Sequence, residues 1–544
     1  TISVAMRGLQ GLPLMLLNIQ PAAAAFCHCE PFPPAPTNQG APPPAGSAPL
    51  RFVMQFESSG KWPADLEAVG ALKAAFYLKM AALLEETSNI HAEASRHALY
   101  VQCDGFTFVG LIRHDQELPL LRASGRTAAA AAMRRATLLA TRHTAAMSTV
   151  AAEYPAFGAT VRLCRRWAHS QLLSASLPAE LIDLLVAHVF ASPAARPPAT
   201  ALLGLLRFLQ LLQRHDFAAE PLLLPLEAPL SAEAKAAARS AFERARASPG
   251  GGPAVYIATD VEPEGGDADA ERQAAANGDD GAEATGDGAG GGGSGVGSLR
   301  ASSWATAERP TPLLVRRVRG LAAAAARVLL AALSPPAGGG DAAAEAAAEA
   351  ATADEADAAV AAAVLPAFLP ALQEFDALLE LEPRRLPRRA MQLDAAGGKA
   401  AAPPKAKAFA NLQHGQIASG VGDDAVAALV ARLEARHGGV ALFFFDELGG
   451  GQIAIKWRPR CFLPAPWRPA EAQGRLLLER VAPPEAPAAG KKALRGTSAE
   501  KAAVLGATSW LLPNVPELLE DMCAMSDGLV RRARLVQAAP PARR

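Results

Sequence analysis

An excess of either charge sign is missing from this 544-residue chain: 53 Lys and Arg stand against 53 Asp and Glu, a formal net of zero. That excludes a histone-like polycation, so any polyanionic partner must be held by local basic patches rather than by a global field. Aromatic residues make up 5% and charged residues 19%, while the 50% hydrophobic fraction is swollen by alanine. Such composition blunts propensity as a guide to helix and strand. Cysteine is scarce, six in all, and Cys27 and Cys29 around His28 are the single close pair. A disulfide scaffold is therefore not expected, and a reduced interior is. A zinc site usually draws on two ligand pairs with two or more residues between their members, so Cys27-His28-Cys29 reads as packing or a surface thiol. Neither metal nor cofactor is expected. Apolar runs of spanning length occur only as alanine tracts, and no secretory core follows a basic start. These absences predict a soluble intracellular protein with no membrane partner. The chain begins without Met, as the back part of a longer protein would.

What is present suits two to four domains. After a Pro-rich break at 38–49, RFVMQFESSGKWP starts with the alternation Phe52, Met54, Phe56, and Pro63 stops it. From Asp65 the run DLEAVGALKAAFYLKMAALLEE repeats apolar positions near a 3.6 period, giving strand, turn and helix. HALYVQCDGFTFVGLIRHD reads as a strand pair or one long bent strand with Asp104 and Gly105 at a turn or bulge. Residues from about 125 to 215 read as helices punctuated by Pro155, Pro178, Pro193 and Pro197 or Pro198. PAVYIATD at 253–260 reads as an isolated buried strand, and 261–300 as an acidic, Gly-rich insertion unable to pack a core. TPLLVRRVRGLAAAAARVLLAAL predicts another helix. An Ala- and acid-rich tract near 337–359 and a Gly, Pro, Ala and Lys tract at 392–408 are weak regions. AVLPAFLPALQEFDALLELEP reads as helical or irregular, DDAVAALVARLEARHGG as an amphipathic helix, and VALFFFDELGGGQIAIKWRP as a hairpin. In that hairpin Phe443, Phe444 and Phe445 bury both faces of a central strand or leave one for a partner.

Three stretches carry a family resemblance. FVMQFESSGKWPADLEAVGALKAAFYLKMAALL, then AEYPAFGATVRLCRRWAHSQLL followed by LIDLLVAHVF and GLLRFLQLLQRHDF, then ALFFFDELGGGQIAIKWRP before CFLPAPWRP, resemble in order and spacing the back half of the Nrap family of nucleolar RNA-associated proteins. The resemblance implies an α+β multidomain chain. On it, 1–125 is a degenerate nucleotidyltransferase-like α/β domain, 126–335 a poly(A)-polymerase or oligoadenylate-synthetase-like helical domain carrying the 261–300 insertion, 336–361 a linker, and 362–544 a C-terminal α+β domain. It further implies a noncatalytic scaffold of the small-subunit processome in the nucleolus. The implied partners are precursor ribosomal RNA, the U3 small nucleolar ribonucleoprotein and other processome proteins.

An active nucleotidyltransferase needs two carboxylates one residue apart beside a Gly-Ser turn and a third on a nearby strand, to hold two metal ions. The nearest candidates, Ser58-Ser59-Gly60 with Asp65, Glu67 and Asp104, match poorly. Asp65 after Pro63 opens a helix, and two acids two apart on a helix point in different directions. Helix capping is the plainer reading, with a metal-dependent nucleotidyltransferase acting on RNA ends as the alternative. For RNA contact the candidates are Arg162, Arg165, Arg166 and His169, which share one face of the helix TVRLCRRWAHSQLL, while Leu163, Trp167 and Leu172 or Leu173 turn to the core. Intramolecular pairing is the competing reading. Arg384, Arg385, Arg388 and Arg389 in LEPRRLPRRAM form the second candidate, since prolines keep their guanidinium forks out of a regular helix. Further clusters are Arg316, Arg317 and Arg319, and Arg531, Arg532 and Arg534. Trp62 is expected to anchor the turn ahead of the helix at Asp65.

Overall fold

The computed structural model describes residues 2–34, 49–57, 62–174, 176–192, 196–226, 231–248, 251–261, 299–306, 310–333, 353–383, 386, 425–459, 465–466, 478–481 and 510–536. They fall into two compact units. One holds the described residues up to Ala168 and from Ser176 to Leu369; the other holds 169–174 and the described residues from Pro370 onward.

The first unit starts with helix α1 (Ile2–Arg7) and a five-stranded sheet of β1 (Leu16–Pro21), β2 (Leu50–Phe56), β3 (Ala92–Ala94), β4 (Leu99–Cys103) and β5 (Phe106–Arg113). The order is β1-β2-β5-β4-β3, with β2 and β5 parallel and the other neighbours antiparallel. Helix α2 (Leu66–Ser88) follows β2. Alternation does what the sequence predicts: Phe52, Met54 and Phe56 leave one face of β2 and pack with Phe76, Tyr77, Met80 and Leu84 of α2. The Ile112 amide of β5 donates to the Tyr77 hydroxyl at 2.8 Å, fastening helix to sheet. Asp104 and Gly105 have φ of 53° and 80°, so β4 and β5 meet in a two-residue hairpin with both turn residues left-handed. The strand-pair reading of this segment is the one observed.

Helix α3 (Glu117–Ala123) leads into α4 (Thr127–Arg134), which runs through a π turn at Arg135–Leu139 into α5 (Ala140–Glu153). Then come α6 (Phe157–Ser170), α7 (Ala179–Ala191) and α8 (Ala201–Arg214). Beyond α8, β6 (Leu222–Leu224), helix α9 (Ala232–Ala247), β7 (Ile257–Thr259) and β8 (Arg300–Ala301) build a sheet ordered β6-β7-β8. The strand expected to stand alone at 253–260 is thus the middle strand, parallel to β6 and antiparallel to β8. Its partner β8 lies at the far end of the acidic insertion, and such pairing leaves no mark in local periodicity. Helix α9 was not expected, because it buries little besides Ala238 and Phe242 and so carries almost no apolar stripe. The unit closes with α10 (Pro312–Leu333) and α11 (Ala353–Val364), which ends in a 3-10 turn at Leu365–Phe368.

The second unit has β9 (Ala377–Leu381), α12 (Ala425–His437), β10 (Ala441–Phe444), β11 (Gln452–Trp457), β12 (Ala465–Pro466), β13 (Leu478–Val481), β14 (Trp510–Pro513), α13 (Val515–Ala524) and β15 (Val530–Leu535). An antiparallel sheet ordered β10-β11-β9-β15 packs Leu379, Ile453 and Ile455 against Leu429 and Leu433 of α12 and Leu518 and Met522 of α13. Two expectations change here. The stretch read as helical or irregular before residue 382 supplies β9, an inner strand whose Leu378 faces one cluster and Leu379 the other; a strand buried on both sides has no period to betray it. The phenylalanine run lies on β10, an edge strand rather than a central one, with Phe443 and Phe445 buried together and Phe444 packed on the opposite face.

The acidic insertion lies almost wholly, and the 392–408 tract wholly, outside the described residues, while the latter part of the expected 336–361 linker is α11. No helix among the described residues is long and apolar enough to cross a membrane.

Asp65 caps α2, its carboxylate accepting from the Ala68 amide at 3.0 Å. Asp65→Ala leaves that first-turn amide without its partner and is expected to cost about 1 kcal/mol. A urea unfolding midpoint unchanged by the substitution contradicts the cap.

Candidate nucleic-acid interface

The sequence places Arg162, Arg165, Arg166 and His169 within about a third of the circumference of α6. The core boundary runs through that arc. Val161, Cys164, Trp167 and Ala168 are buried, and so are Arg165 and His169; Arg162, Leu163 and Arg166 are half-buried. Leu163, expected in the core, therefore sits at its margin.

Arg165 is drawn inward by an acid that the sequence reading passed over. Asp183 on α7 is wholly buried; the Arg165 Nε donates to its Oδ1 at 2.7 Å, and Nη2 bonds its Oδ2 as the second arm of a bidentate pair. His143 of α5 adds Nε2 at 2.9 Å from Oδ2. Burial alone would raise the Asp183 carboxyl, but Arg165 and His143 outweigh it and hold the group below the usual carboxylate range. The signal for Asp183 was in LIDLLVAHVF, where one acid stands inside an otherwise apolar helix and must find a cation. For Arg165 the structure thus realises the intramolecular reading. His169 is also turned in, with Nδ1 at the Ser174 hydroxyl. Arg162 and Arg166 remain at the rim of the face, and Arg162 lines an open cleft.

Arg384, Arg385, Arg388 and Arg389 lie outside the described residues. Of the lesser clusters, Arg319 donates to the His215 carbonyl at 2.7 Å, while Arg532 and Arg534 flank Glu380 at 3.0 and 3.8 Å.

The carboxylates of the enzymatic alternative are dispersed in role. Asp65 is the helix cap, Glu67 belongs to the first turn of α2, and Asp104 sits in the β4–β5 turn. Among the described residues no three His, Cys, Asp or Glu side chains are grouped to hold a metal ion. Ser58, Ser59 and Gly60 lie outside the described residues. Trp62 anchors the chain as expected, its ring stacked on His114 at 4.1 Å and on Phe76 at 5.9 Å, its Nε1 donating to the Glu57 carbonyl at 3.3 Å.

A mixed sheet with a long helix on its face is followed along the chain by a run of packed helices and then by an antiparallel α+β unit. Comparison with known families gives the same order. Residues 1–152 match the Nrap protein nucleotidyltransferase domain 4, residues 154–273 the Nrap protein PAP/OAS1-like domain 5, and residues 372–533 the Nrap protein domain 6. The chain belongs to the Nrap family. The chain is 26% identical over 556 aligned residues to nucleolar protein 6 of Mus musculus and of Homo sapiens, covering 96% of this chain and 40% of each relative. Over 235 residues it is 35% identical to nucleolar protein 6 of Drosophila melanogaster, covering 40% of this chain and 19% of that protein. It thus spans only part of the length of the curated relatives it matches.

Asp183→Asn removes the charge that compensates buried Arg165, at an expected cost of about 3–5 kcal/mol. In the unsubstituted protein this stabilisation is complete above the ordinary carboxylate value of about 4 and is lost as pH falls from there through the lower folded value, because the unfolded chain takes up the proton first. Urea titrations at neutral and acid pH test both statements; an Asp183→Asn chain as stable as the parent at neutral pH refutes them.

Proposed function

We propose that this chain is the back part of a noncatalytic scaffold of the small-subunit processome, acting in the nucleolus, where it supports processing of precursor ribosomal RNA and assembly of the small ribosomal subunit. The observation that carries this reading is the unbroken series of three Nrap domains along the chain, in family order. The relatives' name, nucleolar protein 6, supports the location. The use of Asp65 as a helix cap supports a fold whose carboxylates serve structure rather than chemistry. On this reading the partners are precursor ribosomal RNA, the U3 small nucleolar ribonucleoprotein and other processome proteins. RNA is held by local basic surfaces, as the zero net charge requires. The contact residues proposed are Arg162 and Arg166 at the rim of α6, together with Arg384, Arg385, Arg388 and Arg389; Arg165 and His169 serve the same face by holding its helix in place.

Crosslinking of the tagged protein in cells, with both RNA and peptide identified, is expected to recover precursor ribosomal RNA and processome proteins, with contacts near 162–166 and 384–389. Recovery of neither sinks the proposal, and magnesium-dependent nucleotide addition to RNA by the purified chain overturns its noncatalytic part. In vitro, the double substitution Arg162→Ala and Arg166→Ala is expected to flatten the salt dependence of single-stranded RNA binding by about 1.4 in log–log slope, at roughly 0.7 per phosphate contact. An unaltered slope removes α6 from the interface.

A further inference from the structure

Arg162 does not merely lie on a basic face. It lines an open cleft of about 270 Å³ walled by the first turns of α6, Ala151 near the end of α5, Pro155 in the connection between the two helices, and the segment containing Ala25, His28 and Glu30. That segment is built to present one ring. A 3-10 turn at Ala24–Cys27 ends at His28, whose φ of 60° is left-handed. Cys27 and Cys29 on either side are buried to 1% and 0% exposure, their thiols donating to the carbonyls of Ala24 and Cys27 at 3.3 Å each. With both neighbours pinned inward and the backbone reversed, His28 is turned out to solvent. Gly158 on α6 admits it: a Cβ there would lie 3.0 Å from the His28 Cβ and 3.1 Å from its carbonyl oxygen.

Among the described residues neither the His28 ring nor the Arg162 guanidinium has a hydrogen-bond or ion-pair partner. A half-buried guanidinium has lost part of its hydration and gains from an anion supplied from outside. The cleft lies just below the size of sites for drug-sized ligands, roughly 300 Å³ and upward, and so suits a single nucleotide. Glu30 on the same wall works against an acidic peptide.

We infer that this cleft takes one unpaired nucleotide of an RNA strand, its phosphate on Arg162 and its base against the His28 ring. This deepens the RNA-binding reading of the α6 face and rests on it. A base held in this way must be out of a duplex, so the site selects single-stranded segments. The Cys-His-Cys sequence, which resembles half of a metal site, acquires a different purpose: the cysteines fix the turn and the histidine meets the ligand.

The test uses the whole 544-residue chain with a ten-nucleotide oligouridine carrying 4-thiouridine, against an RNA duplex of the same length. Expected are crosslinks to peptides within 24–34 and 151–166, and a single-strand affinity lowered about tenfold by His28→Asn, the loss of one stacked base, with duplex affinity unmoved. Asn tolerates the left-handed backbone, so an unchanged thermal midpoint is expected to accompany the loss. If Arg162→Ala weakens binding while His28→Asn does not, and no crosslink falls in 24–34, the nucleotide site is overturned and the basic α6 face survives. If the unsubstituted chain binds neither RNA, both readings fall. Tighter, Arg162-dependent binding of a polyglutamate peptide than of the oligouridine also overturns the inference and makes the cleft a protein-docking site.

Discussion

The charge cluster of Asp183, Arg165 and His143 governs the helical part of the first unit. It draws one side chain from each of three helices to two carboxylate oxygens, so it fixes how α5, α6 and α7 are rotated as well as that they touch. A cluster of this kind contributes little net stability over an apolar equivalent, because its desolvation offsets most of the attraction. Its value is in specifying one arrangement. With Arg165 pinned inward, helix geometry leaves Arg162 and Arg166 on the outer side of the same arc and no freedom to exchange places with it. The surface chemistry of α6 is therefore decided by a contact that solvent never reaches.

The second unit uses a buried carboxylate in a related way. Asp376, directly ahead of β9, accepts from the Trp457 amide and from Lys456, at 2.7 Å in each case, and so joins the start of one strand to the end of its neighbour. His437 and Arg436 at the end of α12 meet Asp521 of α13, which ties the two helices covering that sheet. In both units polar side chains sit where two elements must be held in a set register, and apolar residues fill the space between.

How much of this could be read from the residues depended on whether the deciding contact was local. The alternation of Phe52, Met54 and Phe56, the cap at Asp65, the Asp104-Gly105 turn and the hairpin around residues 441–457 are short-range features, and the sequence expresses them. β9 escaped because it is an inner strand whose partners lie far along the chain, and β7 is legible as a strand while its pairing with β6 and β8 is not, for the same reason. On α6 the spacing puts four basic residues on one arc, but the division of that arc into an inner and an outer half is invisible in the sequence, since it depends on Asp183 on another helix. The cleft at His28 was hidden for a similar reason: its wall is composite, and the motif that forms one side of it looks incomplete when read as metal ligands alone.

The parallel seam between β2 and β5 bears on how the first unit comes together in time. β4 and β5 meet across two residues, and α2 needs contacts only along its own length, so both elements form early. β2 reaches β5 only after the helix and two strands between them have been laid down, and the entropy of closing that loop must be spent before any of its hydrogen bonds is gained. The Tyr77 hydroxyl on the Ile112 amide offers a template, since it holds β5 against α2 in the position where β2 must dock. By contact order, this non-local pairing rather than the local helices is the expected slow step in forming the sheet.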